Sequence, residues 1–180
     1  MKYFIVSDIH GSKTYCEKML AAYENEKADK LVILGDILYH GPRNDLPNEY
    51  DAKEVTRLLN AHRNEILAVR GNCDAEIDQM VLAFPIMADY AIIESGNKTI
   101  FATHGHLYNR DHVPPIKDGD ILLHGHTHIV ADETYNLRNE EGEKIGTYTY
   151  LNPGSISIPK DGKRGYIILE NGNYEWKALR

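Results

Sequence analysis

The sequence predicts a mixed α/β domain with helices outside two packed β-sheets. Three observations carry that expectation. The first half alternates short apolar runs with helix-period segments, the rhythm of βαβ units. From about residue 88 onward the helical period gives way to strands separated by hairpin-type turns. At 180 residues, 42% hydrophobic and 26% charged, the chain has the length and composition of one globular domain, residues 1–180.

Tyr3-Phe4-Ile5-Val6 reads as a buried strand over 2–7, running into Asp8-Ile9-His10-Gly11. Ser12 is placed as the N-cap of a helix through about residue 26, with Cys16, Met19, Leu20 and Tyr23 as its core stripe. Leu31-Val32-Ile33-Leu34 is a second strand ending at Gly35-Asp36. Strand, helix and strand at this spacing form a right-handed unit with parallel strands. A loop rich in Pro, Asn and Asp occupies 38–50. Asp51 with Glu54 then resembles a capping box opening a helix on which Val55, Leu58 and Leu59 face the core to about His62. Ile66-Leu67-Ala68-Val69 is a third strand, ending at Arg70-Gly71-Asn72. Asp74 is placed as the cap of a short helix carrying Ile77, Met80 and Val81, closed before Pro85. Strands follow near 88–94, 99–103, 120–124, 130–137, 144–151, 165–170 and 173–178. Ser95-Gly96-Asn97, Glu141-Gly142 and Asn171-Gly172-Asn173 supply turns.

Bulk composition narrows the function classes. The formal net charge is -7, with no cluster of Lys and Arg. A surface for long nucleic acid needs many phosphate contacts and is not expected. Only Cys16 and Cys73 are present, so neither a disulfide framework nor a thiolate cage is expected. The apolar run before Ser7-Asp8 is too short for a signal peptide, and no run approaches the roughly 18 residues of a membrane span. The expectation is a cytoplasmic protein with no membrane partner; a homo-oligomer stays open.

The chemistry-bearing residues cluster where strands end. Asp8 and His10, Asp36, and Asn72 follow the first three strands, and His104 with His106 follows Thr99–Thr103. His126 and His128 follow Ile121-Leu122-Leu123, and six of the nine histidines lie between 104 and 128. In open α/β sheets, ligand sites gather at the carboxyl edge of the strands. Carboxylate, amide oxygen and imidazole without thiolate suit borderline-to-hard ions such as Mn, Fe or Zn. Seven ligands are too many for one ion with an open position, but they suit two ions about 3.5–4 Å apart sharing a carboxylate. Such a pair favours phosphoryl displacement. Singly, Asp and Asn after strands also serve as caps and turns; it is the recurrence at strand ends that carries the metal reading.

Asp8-x-His10, Gly35-Asp36, Gly71-Asn72, His104 and Gly125-His126-x-His128 resemble the five motifs of the calcineurin-like metallophosphoesterases. The runs Leu34–Asn44, Arg70–Asp74 and Asn152–Lys160 are similar to the YfcE-type bacterial phosphodiesterases within that superfamily. The resemblance covers nearly the whole chain. It implies a four-layer sandwich, two mixed β-sheets flanked by helices. It implies Asp8, His10 and His128 on one ion, Asn72, His104 and His126 on another, and Asp36 bridging. Two divalent metal ions are implied, manganese first, with zinc, iron or nickel as alternatives. The activity implied is hydrolysis of small phosphodiesters, with a metal-held hydroxide attacking phosphorus in line. A phosphomonoesterase using the same site, and a non-catalytic scaffold like the retromer subunit branch, are the alternative readings.

Cys73 stands where many superfamily members have a His that protonates the leaving group. Cys73 and His106 are the catalytic candidates, His106 touching substrate or orienting His104. Arg43 and, more weakly, His40 are the substrate-binding candidates in the loop after Asp36, against a loop-packing alternative. His124 is read as ending a strand, and His62 and His112 as helix-end and loop residues. Tyr39 and Tyr108 lie near the ligands and are candidates to stack on a substrate ring.

Overall fold

Strand β1 (Lys2–Val6) occupies the centre of the first sheet in the computed structural model, which describes residues 1–180. Strands β2 (Lys30–Ile33) and β3 (Ile66–Ala68) run parallel to it on one side. On the other side β9 (Gly165–Glu170) and β10 (Asn173–Ala178) form an antiparallel hairpin, giving the order β10-β9-β1-β2-β3. The second sheet runs β4-β5-β6-β8-β7. It comprises β4 (Tyr90–Ser95), β5 (Lys98–Thr103), β6 (Ile121–Leu123), β7 (Ala131–Arg138) and β8 (Lys144–Asn152). Its β5-β6-β8 core is parallel and its edges antiparallel.

Period-two alternation explains how the layers assemble. On β1, Phe4 and Val6 face the helices, while Ile5 faces the other sheet. Helices α1 (Lys13–Glu26) and α2 (Ala52–Ala61) cover that outer face with Cys16, Met19, Leu20, Val55 and Leu59. Between the sheets, Ile5, Val32 and Leu34 meet Ile100, Ile121, Leu123 and Leu151. The expected architecture of two mixed sheets with flanking helices is what the chain adopts. Beyond the second sheet, however, Phe101, Leu122, Tyr148 and Tyr150 are packed by Tyr108, Val113 and Ile116 from the segment after β5, not by a helix.

Three local expectations need correction. The Ser12 side chain does not cap α1; its hydroxyl donates to the Asn48 carbonyl at 2.7 Å, tying the 38–50 loop to the helix start. Asp51 does cap α2, accepting the Glu54 amide at 3.0 Å, but Glu54 turns to Arg57 at 2.7 Å and leaves the box half made. Asp74 caps nothing. Helix α3 (Glu76–Val81) begins after Ala75, whose amide donates to Asp78, and Asp74 is buried elsewhere. No helix is long and apolar enough to cross a membrane.

Candidate metal centre

The carboxyl ends of β1, β2, β3, β5 and β6 converge, and the sequence's seven candidate ligands lie there. Asp8, His10, Asp36, His104 and His128 are buried, His126 is half-buried and Asn72 is exposed. Strand alternation is not what aims them. Strand β1 stops at Val6, and Asp8, His10, Asp36, His126 and His128 all have positive φ, between 49° and 66°. For residues with a Cβ such backbone costs about 1–3 kcal/mol each, and it persists only where the surroundings over-determine it. Here they do. Asp8, His10 and Gly11 donate amide bonds to the carbonyls of Gly35, Asp36 and Ile37, locking the first ligand loop onto the second. Ser155 and Ser157 hydroxyls both donate to the Asp8 carbonyl, at 2.9 and 2.8 Å.

Glycines make room for this convergence. A Cβ on Gly71 would lie 2.1 Å from Asp36 Oδ1, and one on Gly125 would lie 1.8 Å from Ser7 Oγ and 2.9 Å from Asp8 Oδ2. Both ligand loops therefore approach the carboxylates as closely as backbone permits.

Backbone carbonyls orient three of the rings. Nδ1 of His10, His104 and His128 lies 2.7, 2.6 and 3.0 Å from the carbonyls of Tyr39, Leu34 and Ile158. A carbonyl only accepts, so each Nδ1 carries a proton and each Nε2 is turned inward, the nitrogen left to meet an ion. His10 Nε2 and His128 Nε2 face each other at 3.2 Å, and Asp8 Oδ1 lies 3.6 and 3.2 Å from them. That oxygen is fully buried and has no hydrogen-bond partner. A second convergence joins His104 Nε2 to His126 Nδ1 at 3.3 Å, Asn72 Oδ1 at 3.1 Å and Asp36 Oδ2 at 3.4 Å. Imidazole nitrogens, carboxylate oxygens and an amide oxygen converging this closely call for positive charge between them, a proton or a cation, and the donor set fits divalent ions without thiolate ligation.

Electrostatics point the same way. Burial opposes ionisation of Asp8, yet the His10 and His128 imidazoles hold it well below the usual carboxylate range. Burial likewise opposes charge on His104, but the Asp36 carboxylate outweighs it and raises the imidazole to about 9. A proton there answers the same negative field that an ion would. Burial, then the neighbouring Asp36 carboxylate, push the Cys73 thiol up to about 12. With no cation beside it, Cys73 is a neutral thiol.

A cleft of about 520 Å³ opens over this centre, lined by Asp36, Asn72, His126 and His128 together with Arg43 and Lys160. Arg43 thus shares the cleft with the ligands. His40 does not line it; its ring lies edge-on between Tyr39 and Tyr50, at 4.8 and 5.5 Å between centroids. His106 sits beside the ligands, its ring 5.4 Å from that of His104. Burial, then the neighbouring His104 and His126, lower its pKa. His124 is buried against Tyr150, with centroids 3.9 Å apart. Tyr108 packs edge-on against Phe101 on the far side of the second sheet, away from the cleft.

Sequence reasoning missed Lys160 and the supporting shell. The Lys160 amide donates to the His128 carbonyl at 2.9 Å, which fixes this lysine at the cleft rim. Asn152 Nδ2 donates to the Gly125 carbonyl at 2.8 Å and to Thr127 at 3.0 Å, bracing the His126–His128 turn. The run Asn152–Lys160 stands out as a motif, but nothing in it says which side chains face the cleft.

Two mixed sheets with carboxylates, imidazoles and one Asn gathered at a shared strand edge define a metallophosphoesterase domain. A family model described as the calcineurin-like phosphoesterase superfamily domain matches residues 1–173, and the chain belongs to that superfamily. The chain is 42% identical over 172 residues to Phosphodiesterase YfcE of Escherichia coli (strain K12), covering 95% of this chain and 88% of that one. The solved structure of that phosphoesterase from E. coli superposes with a TM-score of 0.85 at 38% identity, covering 100% of both chains. Vacuolar Protein Sorting 29 from Cryptosporidium parvum shares the fold at a TM-score of 0.57, with 17% identity over 98% of this chain and 95% of that one. The chain is a metal-dependent phosphoesterase, in agreement with the activity expected from its motifs.

Proposed function

We propose that this chain is a dinuclear phosphodiesterase acting on small phosphodiesters. The observation that carries this reading is the position of one carboxylate. Asp36 Oδ2 lies 3.6 Å from His10 Nε2 and 3.4 Å from His104 Nε2, within reach of both ligand groups at once. On this reading Asp8, His10 and His128 would hold one ion, Asn72, His104 and His126 would hold the other, and Asp36 would serve both. Manganese is the ion expected first, with zinc, iron or nickel compatible with the same donors. Two such ions supply the charge that activates a water at neutral pH and offsets the negative charge of an in-line phosphoryl displacement.

The chain's own residues do the rest. Arg43 and Lys160 face the cleft without a carboxylate partner and bind the non-bridging phosphoryl oxygens. The neutral His106 accepts a hydrogen bond from the reacting water or substrate, or orients His104. The neutral Cys73 thiol gives little acid assistance, so esters whose leaving groups depart without protonation are favoured. The net charge of -7 supports a small substrate over long nucleic acid. Work in the cytoplasm fits the reading.

Diester specificity is supported by the name of the E. coli relative. The test is turnover of an aryl phosphodiester against the matching monoester, using chelator-stripped protein with Mn, Zn, Ni or Mg restored. Metal-restored activity favouring the diester is expected. Preference for the monoester would make the chain a phosphomonoesterase, and no turnover despite bound metal would favour a scaffold.

A further inference from the structure

A second recess, of about 560 Å³, opens beside the metal cleft, and its character is the reverse of the cleft's. Tyr39, Tyr50, Ile77 and Val81 line it, and these side chains are 41%, 38%, 64% and 50% exposed. Single exposed apolar residues need no explanation, but several gathered in one concavity mark a binding surface. Ile77 and Val81 are one helical turn apart on α3, a helix with no buried residue, so their apolar side turns to the recess and not to the core.

Cys73 belongs to both spaces. Its Sγ lies within 4.8 Å of an Asp36 carboxylate oxygen and a His10 ring nitrogen. The recess and the cleft therefore meet at Cys73, beside the Asp36 and His10 side chains. Its wall is held firmly: the Tyr39 carbonyl fixes the His10 ring, and the His40 ring is wedged between Tyr39 and Tyr50.

We propose that this recess receives an aromatic arm of the phosphodiester whose phosphoryl group sits at the metal centre. The assignment rests on the phosphodiester reading above and names its substrate class, a diester with at least one flat apolar substituent. Two tyrosine rings with exposed surface and two aliphatic side chains match a planar ring. A second organic arm is what distinguishes a diester from a monoester, and the cleft, with two hydrophobic residues among its twelve lining residues against eight of eleven in the recess, offers it less apolar surface.

The test uses inert phosphinates, which carry two organic arms on P–C bonds that cannot be hydrolysed and one negative charge as a diester does, titrated calorimetrically into the metal-loaded protein. Dimethylphosphinate, benzyl(methyl)phosphinate and methyl(naphthylmethyl)phosphinate are compared on wild type, Ile77→Asn and Val81→Asn. The expected result is aryl binding about tenfold tighter than dimethyl in wild type, a gain that falls below about threefold in the variants. Dimethylphosphinate affinity should not change in the variants. Dimethylphosphinate binding with no aryl gain in wild type, or a gain surviving in both variants, overturns the recess assignment alone. A wild-type dimer in sedimentation that Ile77→Asn dissociates, again with no aryl gain, overturns it in favour of a second copy of the chain. Failure of every phosphinate to bind overturns the phosphodiester-site reading together with it.

Discussion

The Asp74 carboxylate accepts the backbone amides of Asp36 and Gly71, at 2.9 and 2.7 Å, and a third from Ile37 at 2.8 Å. One buried side chain thus clamps the loop after β2 to the loop after β3, and so sets the distance between Asp36 and Asn72. Asp74→Ala would strand three buried donors. It should destabilise the fold by about 3 kcal/mol or more and weaken metal binding at least about tenfold. Asp74→Asn, which can accept through one oxygen only, should fall between. Denaturant unfolding and metal titration check both; unchanged metal affinity in Asp74→Ala would remove the clamp from the account.

Arg43 and Lys160 enter the cleft from different loops and lack carboxylate partners. Arg43→Ala and Lys160→Ala should each raise KM about tenfold while leaving metal content intact. Steady-state kinetics decides it, and an unchanged KM would place that residue outside the substrate contact.

Much of this was legible in the sequence. The candidate ligands stood out because each follows an apolar run, and strand ends in α/β sheets are where ligands gather. The strand order and the role of Asp74 could not. Asp74 follows Gly-Asn-Cys and precedes a helix, so local chemistry favours a cap. Only the tertiary approach of two loops presents it with three amides. The positive φ of five candidate ligands was equally hidden, since αL backbone at Asp and His carries no sequence mark when glycines stand nearby. Tyr108 was misjudged because nearness in sequence to His104 does not say which side of β5 the following segment covers.

The Lys177 ammonium, opposed by burial and joined by Lys2 and the Tyr166 hydroxyl, holds the Glu26 carboxyl at about 2. An ordinary glutamate titrates near 4.5. The folded pKa is the lower one, so the interaction stabilises above about pH 4.5 and is lost as pH falls towards 2. Glu26→Gln should therefore cost about 1 kcal/mol at pH 7 and progressively less in acid, read from unfolding curves at pH 7, 4 and 2.5. A gap that stays constant across that range would show that the charge of Glu26 contributes nothing.

A thiol raised to about 12 is a far weaker acid than an imidazolium. Rates over a series of aryl diesters should fall steeply as the leaving group's pKa rises, and Cys73→Ser should change them less than about threefold. A flat series, with chemistry shown to limit the rate, would mean that some group protonates the leaving oxygen.

The position of Asp36 between two ligand groups is the centre of the account, and metal content measured with diester turnover tests it most directly. Wild-type protein should bind two ions per chain, and Asp36→Asn should lose one and at least about 1000-fold of the activity. A single ion in the fully active wild type, or a fully active Asp36→Asn, would contradict the bridged pair.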